Sequence, residues 1–150
     1  ENELTSLNLS QNNDLESINA SKNKLKNLDW LANLPHKDKL KSLNLFGNEI
    51  QEVDFSLLAS FPNLESINLS NNPLNGNNLN LADLNEQQLS LLKTWIKEGK
   101  IKISDWKGNV ALNLLQQLVD SKKRIAELEE QIKELQQNLE QRAEIVIERR

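Results

Sequence analysis

One pattern, L-x-x-L-x-L-x-x-N-x-L, recurs along the first half of this chain and restricts its fold more than any other feature. It is carried by LESINASKNKL beginning at Leu15, LKSLNLFGNEI beginning at Leu40 and LESINLSNNPL beginning at Leu64, with starts 25 and 24 residues apart. A fixed period means that one supersecondary unit is repeated. A unit this short cannot bury its own apolar face, so neighbours must stack. The apolar positions are Leu15, Ile18, Ala20 and Leu25, then Leu40, Leu43, Leu45 and Ile50, then Leu64, Ile67, Leu69 and Leu74. Each set contains a period-2 stretch, which turns one face of a short strand inward. Asn23, Asn48 and Asn72 fall where the chain leaves each strand. An inward amide there can both donate to and accept from the backbone of the adjacent unit.

These segments resemble the leucine-rich-repeat family, whose units run about 20–29 residues. The resemblance implies an α/β fold, a short solenoid of parallel strands closed by a helical cap, with binding directed to the concave face. LTSLNLSQNN, beginning at Leu4, precedes the Leu15 segment by only 11 residues, too few for a full neighbouring unit. It looks like the convex half of a preceding repeat, as in bacterial variants where two leucine-rich half-motifs alternate. On that reading the first strand of that repeat lies before Glu1, and an unpaired edge is exposed unless something covers it.

Between the strands, Leu28 to Pro35 and Val53 to Pro62 place apolar residues at helical spacing ahead of a proline, predicting short helical or 3₁₀ returns. After Leu74 an Asn/Gly-rich loop leads to a helix expected from about Glu86 to Glu98, with Asn85 as N-cap, Gln88 completing a capping box and Gly99 as the stop. Leu89, Leu92 and Ile96 stripe it, widened by Leu91 and Trp95, and Ile101 and Ile103 belong to a last strand. Residues 1–109 therefore read as the solenoid with its cap, and residues 110–150 as one long amphipathic helix.

From Val110 to about Glu144 there is no glycine or proline, and the residue types favour helix throughout. Ala111, Leu112, Leu114, Leu115, Leu118 and Val119 form a broad apolar face suited to packing on a globular surface. From about residue 121 the stripe narrows to a heptad seam, with Ile125, Ile132 and Leu139 at a and Leu128 and Leu135 at d. Isoleucine at a with leucine at d favours a parallel two-stranded coiled coil, and Arg124 at g would face Glu129 at e of a partner. Homodimerisation, pairing with a different chain and folding back onto the first domain all stay open. Ile145, Val146 and Ile147, too wide for a narrow seam, read as a frayed end.

Composition removes other classes of function. Acidic and basic residues, 22 and 18 in number, give a net charge of −4, and no basic field suited to phosphates or an anionic membrane arises. Without cysteine there is no disulfide framework or cysteine-based zinc site, and the redox compartment stays undetermined. No apolar run approaches the roughly 20 residues that span a bilayer. The chain reads as soluble and as a piece of something longer. The single histidine, His36, sits in the loop PHKDK as a solvated residue. No phosphate loop or calcium loop occurs, and Asp54, Asp83 and Asp105 read as turn or cap residues. Trp30, Trp95 and Trp106 read as packing residues. The Asn-x-Ser triplets at Asn8, Asn19 and Asn68 are attributed to the abundance of asparagine. No catalytic residue, cofactor or metal site is expected.

The concave positions that the resemblance singles out are Ser17, Asn19 and Ser21; Ser42, Asn44 and Phe46; and Ser66, Asn68 and Ser70. Asn19, Ser42, Asn44, Phe46, Ser66 and Asn68 are the candidate protein-binding residues; Phe46, the one aromatic among them, reads either as an interface anchor or as an ordinary exposed apolar residue. The expected function is a non-catalytic protein-interaction module, with a concave face and an oligomerising or docking helix, and without nucleic-acid or membrane partners. The alternatives are a structural spacer whose helix docks into another protein, and a regulatory domain of a larger enzyme.

Overall fold

The computed structural model describes residues 2–74, 81–104 and 111–148. The chain is mixed α/β and divides into two compact units, Glu1–Val119 and Asp120–Arg150. In the first unit, β1 (Ser17–Asn19), β2 (Ser42–Asn44), β3 (Ser66–Asn68) and β4 (Ile101–Lys102) form one parallel sheet in sequence order. Each strand is short because only its central residue must face inward. Ile18, Leu43, Ile67 and Ile101 occupy equivalent register positions and are all buried. The next inward position after each strand, Ala20, Leu45, Leu69 and Ile103, is buried as well.

The returns between strands are compact. Residues Asp29–Asn33 form a 3₁₀ turn that brings Trp30 and Leu31 into the core, with the Trp30 indole N–H donating to the Asn27 carbonyl at 3.0 Å. A second 3₁₀ turn, Lys37–Lys39, follows His36, which is exposed. α1 (Phe55–Leu58) begins at Asp54, whose carboxylate accepts from the N–H groups of Ser56 and Leu57. That is N-cap chemistry satisfying donors that the first turn leaves without partners. α2 (Glu86–Lys97) carries the complete capping box: the Gln88 N–H donates to Asn85 Oδ1 at 2.8 Å, and the Asn85 N–H donates to Gln88 Oε1 at 3.0 Å. Leu89, Leu92, Trp95 and Ile96 turn inward from it. Gly99 at φ +69° then redirects the chain into β4, a left-handed position that glycine adopts without steric cost.

The equivalent asparagines tie the strands' exits together. Asn48 is 1% exposed; its Oδ1 accepts from the Leu25 N–H at 3.1 Å, and its Nδ2 donates to the Ala20 and Leu45 carbonyls at 2.9 Å each. Asn72, fully buried, accepts from the Ile50 N–H and donates to the Leu45 and Leu69 carbonyls, each at 3.0 Å. Asn23 accepts from the Leu4 N–H at 3.2 Å and donates to the Ala20 carbonyl at 3.1 Å. Leu4, Leu25 and Ile50 thus play one role in succession. The irregular segment after Leu4 places Leu7 and Leu9 partly buried against the core. No buried side-chain nitrogen or oxygen among the described residues lacks a hydrogen-bond partner.

α3 (Ala111–Glu148) spans 38 residues. Leu115 and Val119 are buried in the core of the first unit and Leu118 packs partly against it. Val110 and the side chains of Ala111, Leu112 and Leu114 lie outside the described residues, as do Asp105 and Trp106. The reading of Ile145–Ile147 as a frayed end is corrected, because the helix continues through them to Glu148. Three β-branched residues each cost only about 0.5 kcal/mol of propensity, and no glycine or proline interrupts them.

Asn48 makes three bonds to backbone groups that have no access to water. Asn48→Ala is expected to lower unfolding stability by roughly 2–4 kcal/mol, since each buried backbone group left unpaired costs about 1–3 kcal/mol. Asn19→Ala, on the exposed side of β1, is expected to stay within about 1 kcal/mol. Urea titration of both variants checks the contrast; similar losses would remove the special role given to Asn48.

Candidate functional site

The first unit presents its strands' outward residues in straight rows, because the register advances without slippage. Ser17, Ser42 and Ser66 make one row, and Asn19, Asn44 and Asn68 the next, which Lys102 of β4 continues. The structure therefore brings Asn19, Ser42, Asn44, Ser66 and Asn68 onto one face, with Phe46 two residues beyond Asn44. Exposure across it is uneven. Ser17, Asn19 and Ser66 are exposed, whereas Ser42, Asn44, Phe46, Asn68 and Ser70 are half-buried. Phe46 is thus partly covered while still lining an open groove.

The asparagines of this face are turned onto their own backbone. Asn19 Oδ1 accepts from the Ser21 N–H at 3.2 Å and from its hydroxyl at 2.7 Å. Asn44 Oδ1 accepts from the Phe46 N–H at 3.1 Å, and Asn68 Oδ1 from the Ser70 N–H at 3.0 Å. Asn8 repeats the arrangement, with its Oδ1 accepting from both the N–H and the hydroxyl of Ser10. The Asn-x-Ser triplets thus have a structural explanation that abundance alone misses: asparagine readily bonds the backbone two residues on, fixing the bend at the strand's end.

A second row escaped the sequence reading. Lys22, Gly47 and Asn71 precede the three buried asparagines, and all have positive φ, at 57°, 70° and 60°. This conformation aims each N–H at the next strand's continuation: Lys22 donates to the Phe46 carbonyl, Gly47 to that of Ser70 and Asn71 to that of Ser104, at 2.8, 3.1 and 2.8 Å. Glycine and asparagine at two of the positions are the signal that could have revealed the row, since both tolerate left-handed backbone. Lysine at the first concealed it. An open groove of about 550 Å³ lies here, lined by Lys22, Lys24, Phe46, Gly47, Glu49 and Asn71 among others. A smaller one of about 250 Å³, walled by Leu4, Leu7, Leu9 and Leu15, runs beside Ile18 of β1.

Charges of both signs line the larger groove, where Lys24 pairs with Glu3 at 3.5 Å and Lys22 and Glu49 lie beside them. Lys39 bonds Asp14 at 2.5 Å, and Lys41 lies 3.9 Å from Glu16, joining equivalent positions of successive segments. The hydrogen bond and charge of Lys39 hold the Asp14 carboxyl below its ordinary range, and Asp14 in turn raises Lys39. Both partners lie at the surface, with side chains 42% exposed for Lys39 and 84% for Asp14, where ion pairs are weak and define no reactive site. No three His, Asp or Glu side chains gather in metal-binding geometry among the described residues.

The second unit carries the other surface. Ile125, Leu128, Ile132, Leu135 and Leu139 of α3 are 40–64% exposed, and Ile145, Val146 and Ile147 are exposed as well. Among the described residues, Leu4 is the one large hydrophobic side chain of the first unit that is comparably uncovered. The five seam residues alternate by three and four, so they lie along one line of the helix. Arg124, beside the first of them, pairs with Glu127 at 3.4 Å on the surface. No described helix is long and apolar enough to cross a membrane. Neither a protein-family model nor a curated protein matches this chain.

Lys22 holds a conformation that costs an L-residue about 1–2 kcal/mol. Lys22→Gly is expected to raise stability by about 0.5–1 kcal/mol once glycine's added chain entropy is deducted. Gly47→Ala is expected to lower it by about 1 kcal/mol. Steric overlap is not the cause there, because a Cβ at Gly47 meets its nearest neighbour, Lys22 Cγ, at 3.6 Å. Thermal unfolding of the two variants checks the opposite signs, and shifts of the same sign would contradict the backbone explanation.

Proposed function

We propose that the chain is a non-catalytic protein-interaction module: a short leucine-rich-repeat solenoid in its first unit, followed by a helix whose seam is the principal contact surface. The observation that carries this reading is the line of five exposed apolar side chains from Ile125 to Leu139. Contiguous exposed apolar surface marks a place where another protein is held. The repeated pattern, the in-register parallel strands and the buried asparagines support the solenoid assignment.

The outward strand face contributes less to binding on this reading. It is small and polar, and the amide oxygens of Asn19, Asn44 and Asn68 are occupied by their own backbone. Phe46 is the one aromatic side chain in its rows, and the groove it lines is otherwise polar and charged. The same occupied amides favour a second reading, in which the first unit serves as a spacer and the helix alone makes contacts.

Three forms of the full chain separate these outcomes: the unaltered protein, Leu128→Glu/Leu135→Glu, and Asn44→Ala/Phe46→Ala. Partner capture, measured by cross-linking and quantified for each form, is expected to fall on the order of tenfold for the seam variant, as removal of central apolar anchors does. Loss in the strand-face variant as well supports the two-surface module, and loss confined to the seam variant supports the spacer. Undiminished capture by the seam variant would contradict the seam's role.

A further inference from the structure

We infer that the partner of the α3 seam is a second copy of this chain, lying parallel and in register along Ile125–Leu139, with Arg142 ending the zipper. The inference rests on the reading of the seam as a contact surface and names its occupant. β-branched Ile125 and Ile132 at a, with Leu128 and Leu135 at d, is the core pattern that selects two parallel strands. In that arrangement the Arg124 side chain, which is 61% exposed, exchanges its surface pairing with Glu127 for Glu129 of the other copy. Symmetry makes the new pair twice. The remaining flanks, Gln131 with Gln136 and Asn138 with Ala143, are neutral and oppose nothing.

An antiparallel pair is poorer on the same residues. With a facing d, Ile132 meets Leu135 of the other copy, but Ile125 then meets Arg142, and Arg124 falls opposite Ile145. A guanidinium is set against an apolar side chain at two places, and the Arg124–Glu129 attraction is lost. In the parallel arrangement the two Arg142 side chains face each other at d. Their like charges turn outward to solvent on their long stems and stop the seam after Leu139. The coil is therefore short, and association is concentration-dependent rather than permanent.

The chain has no cysteine, so single introduced thiols report geometry without background. Sedimentation of the unaltered full chain across micromolar concentrations is expected to show a monomer–dimer equilibrium. Ile132→Glu is expected to abolish it, and Arg142→Leu to tighten it by on the order of tenfold through an added apolar d layer. Under oxidation, Leu135→Cys alone is expected to cross-link to itself. Preferential cross-linking between Ile132→Cys and Leu135→Cys chains when the two are mixed would overturn the parallel arrangement, and a dimer that survives Ile132→Glu would overturn the seam as its site. If the unaltered chain stays monomeric, the occupant is not a second copy. The reactivity of the Leu135→Cys thiol toward a maleimide then separates two failures. A reactive thiol leaves the seam open to a different chain and overturns only this inference. A protected thiol in a monomer means the seam is covered within the molecule and overturns the contact-surface reading too.

Discussion

The first unit depends on hydrogen bonds made by buried side-chain amides to backbone that would otherwise be orphaned. Where a strand ends and the chain turns away, its N–H and C=O groups lose the regular ladder while still out of reach of water. Asn48 and Asn72 replace that ladder with one carbonyl oxygen and one amino group each, spanning two successive segments. No other uncharged side chain offers both a carbonyl acceptor and two N–H donors on so short a stem. The amide therefore fixes the spacing between segments, and the in-phase rows of the sheet follow from that spacing. The apolar residues supply the driving force of burial without specifying register by themselves.

A consequence is a division between interior and exterior chemistry. Among the described residues no buried polar side-chain atom of the first unit lacks a partner, and on its strand face the asparagines fold back on their own main chain. Little on that face seeks a ligand. The unmet apolar surface lies on α3, where Arg124 and Glu129 flank a line of isoleucine and leucine. The parallel strands draw attention to the sheet, yet the larger exposed apolar surface belongs to the helix.

Much of this was legible from residues alone, for reasons that differ by element. Ile18, Leu43 and Ile67 announced the strands because a half-buried strand must alternate, and Asn85 with Gln88 announced α2 because the capping box is a local chemical event. The buried asparagines were legible by their recurrence at one position. Lys22 was not, because left-handed backbone is imposed there by the neighbouring strand's carbonyl rather than by lysine's own preference. The half-burial of Phe46 was hidden for a related reason: residue alternation shows which way a side chain points but not how closely adjacent strands crowd it. The helix runs on through Ile145–Ile147 because β-branched residues lower propensity only slightly and no helix breaker interrupts them.

The most direct measurement is amide hydrogen exchange at Leu25 and Ile50, whose N–H groups donate to Asn48 and Asn72. Amides sealed by an interior ladder exchange only when the whole unit opens, so both are expected among the slowest in the protein and alike in rate. Exchange at either as fast as in the exposed loops would mean that the buried asparagines do not hold the segments together.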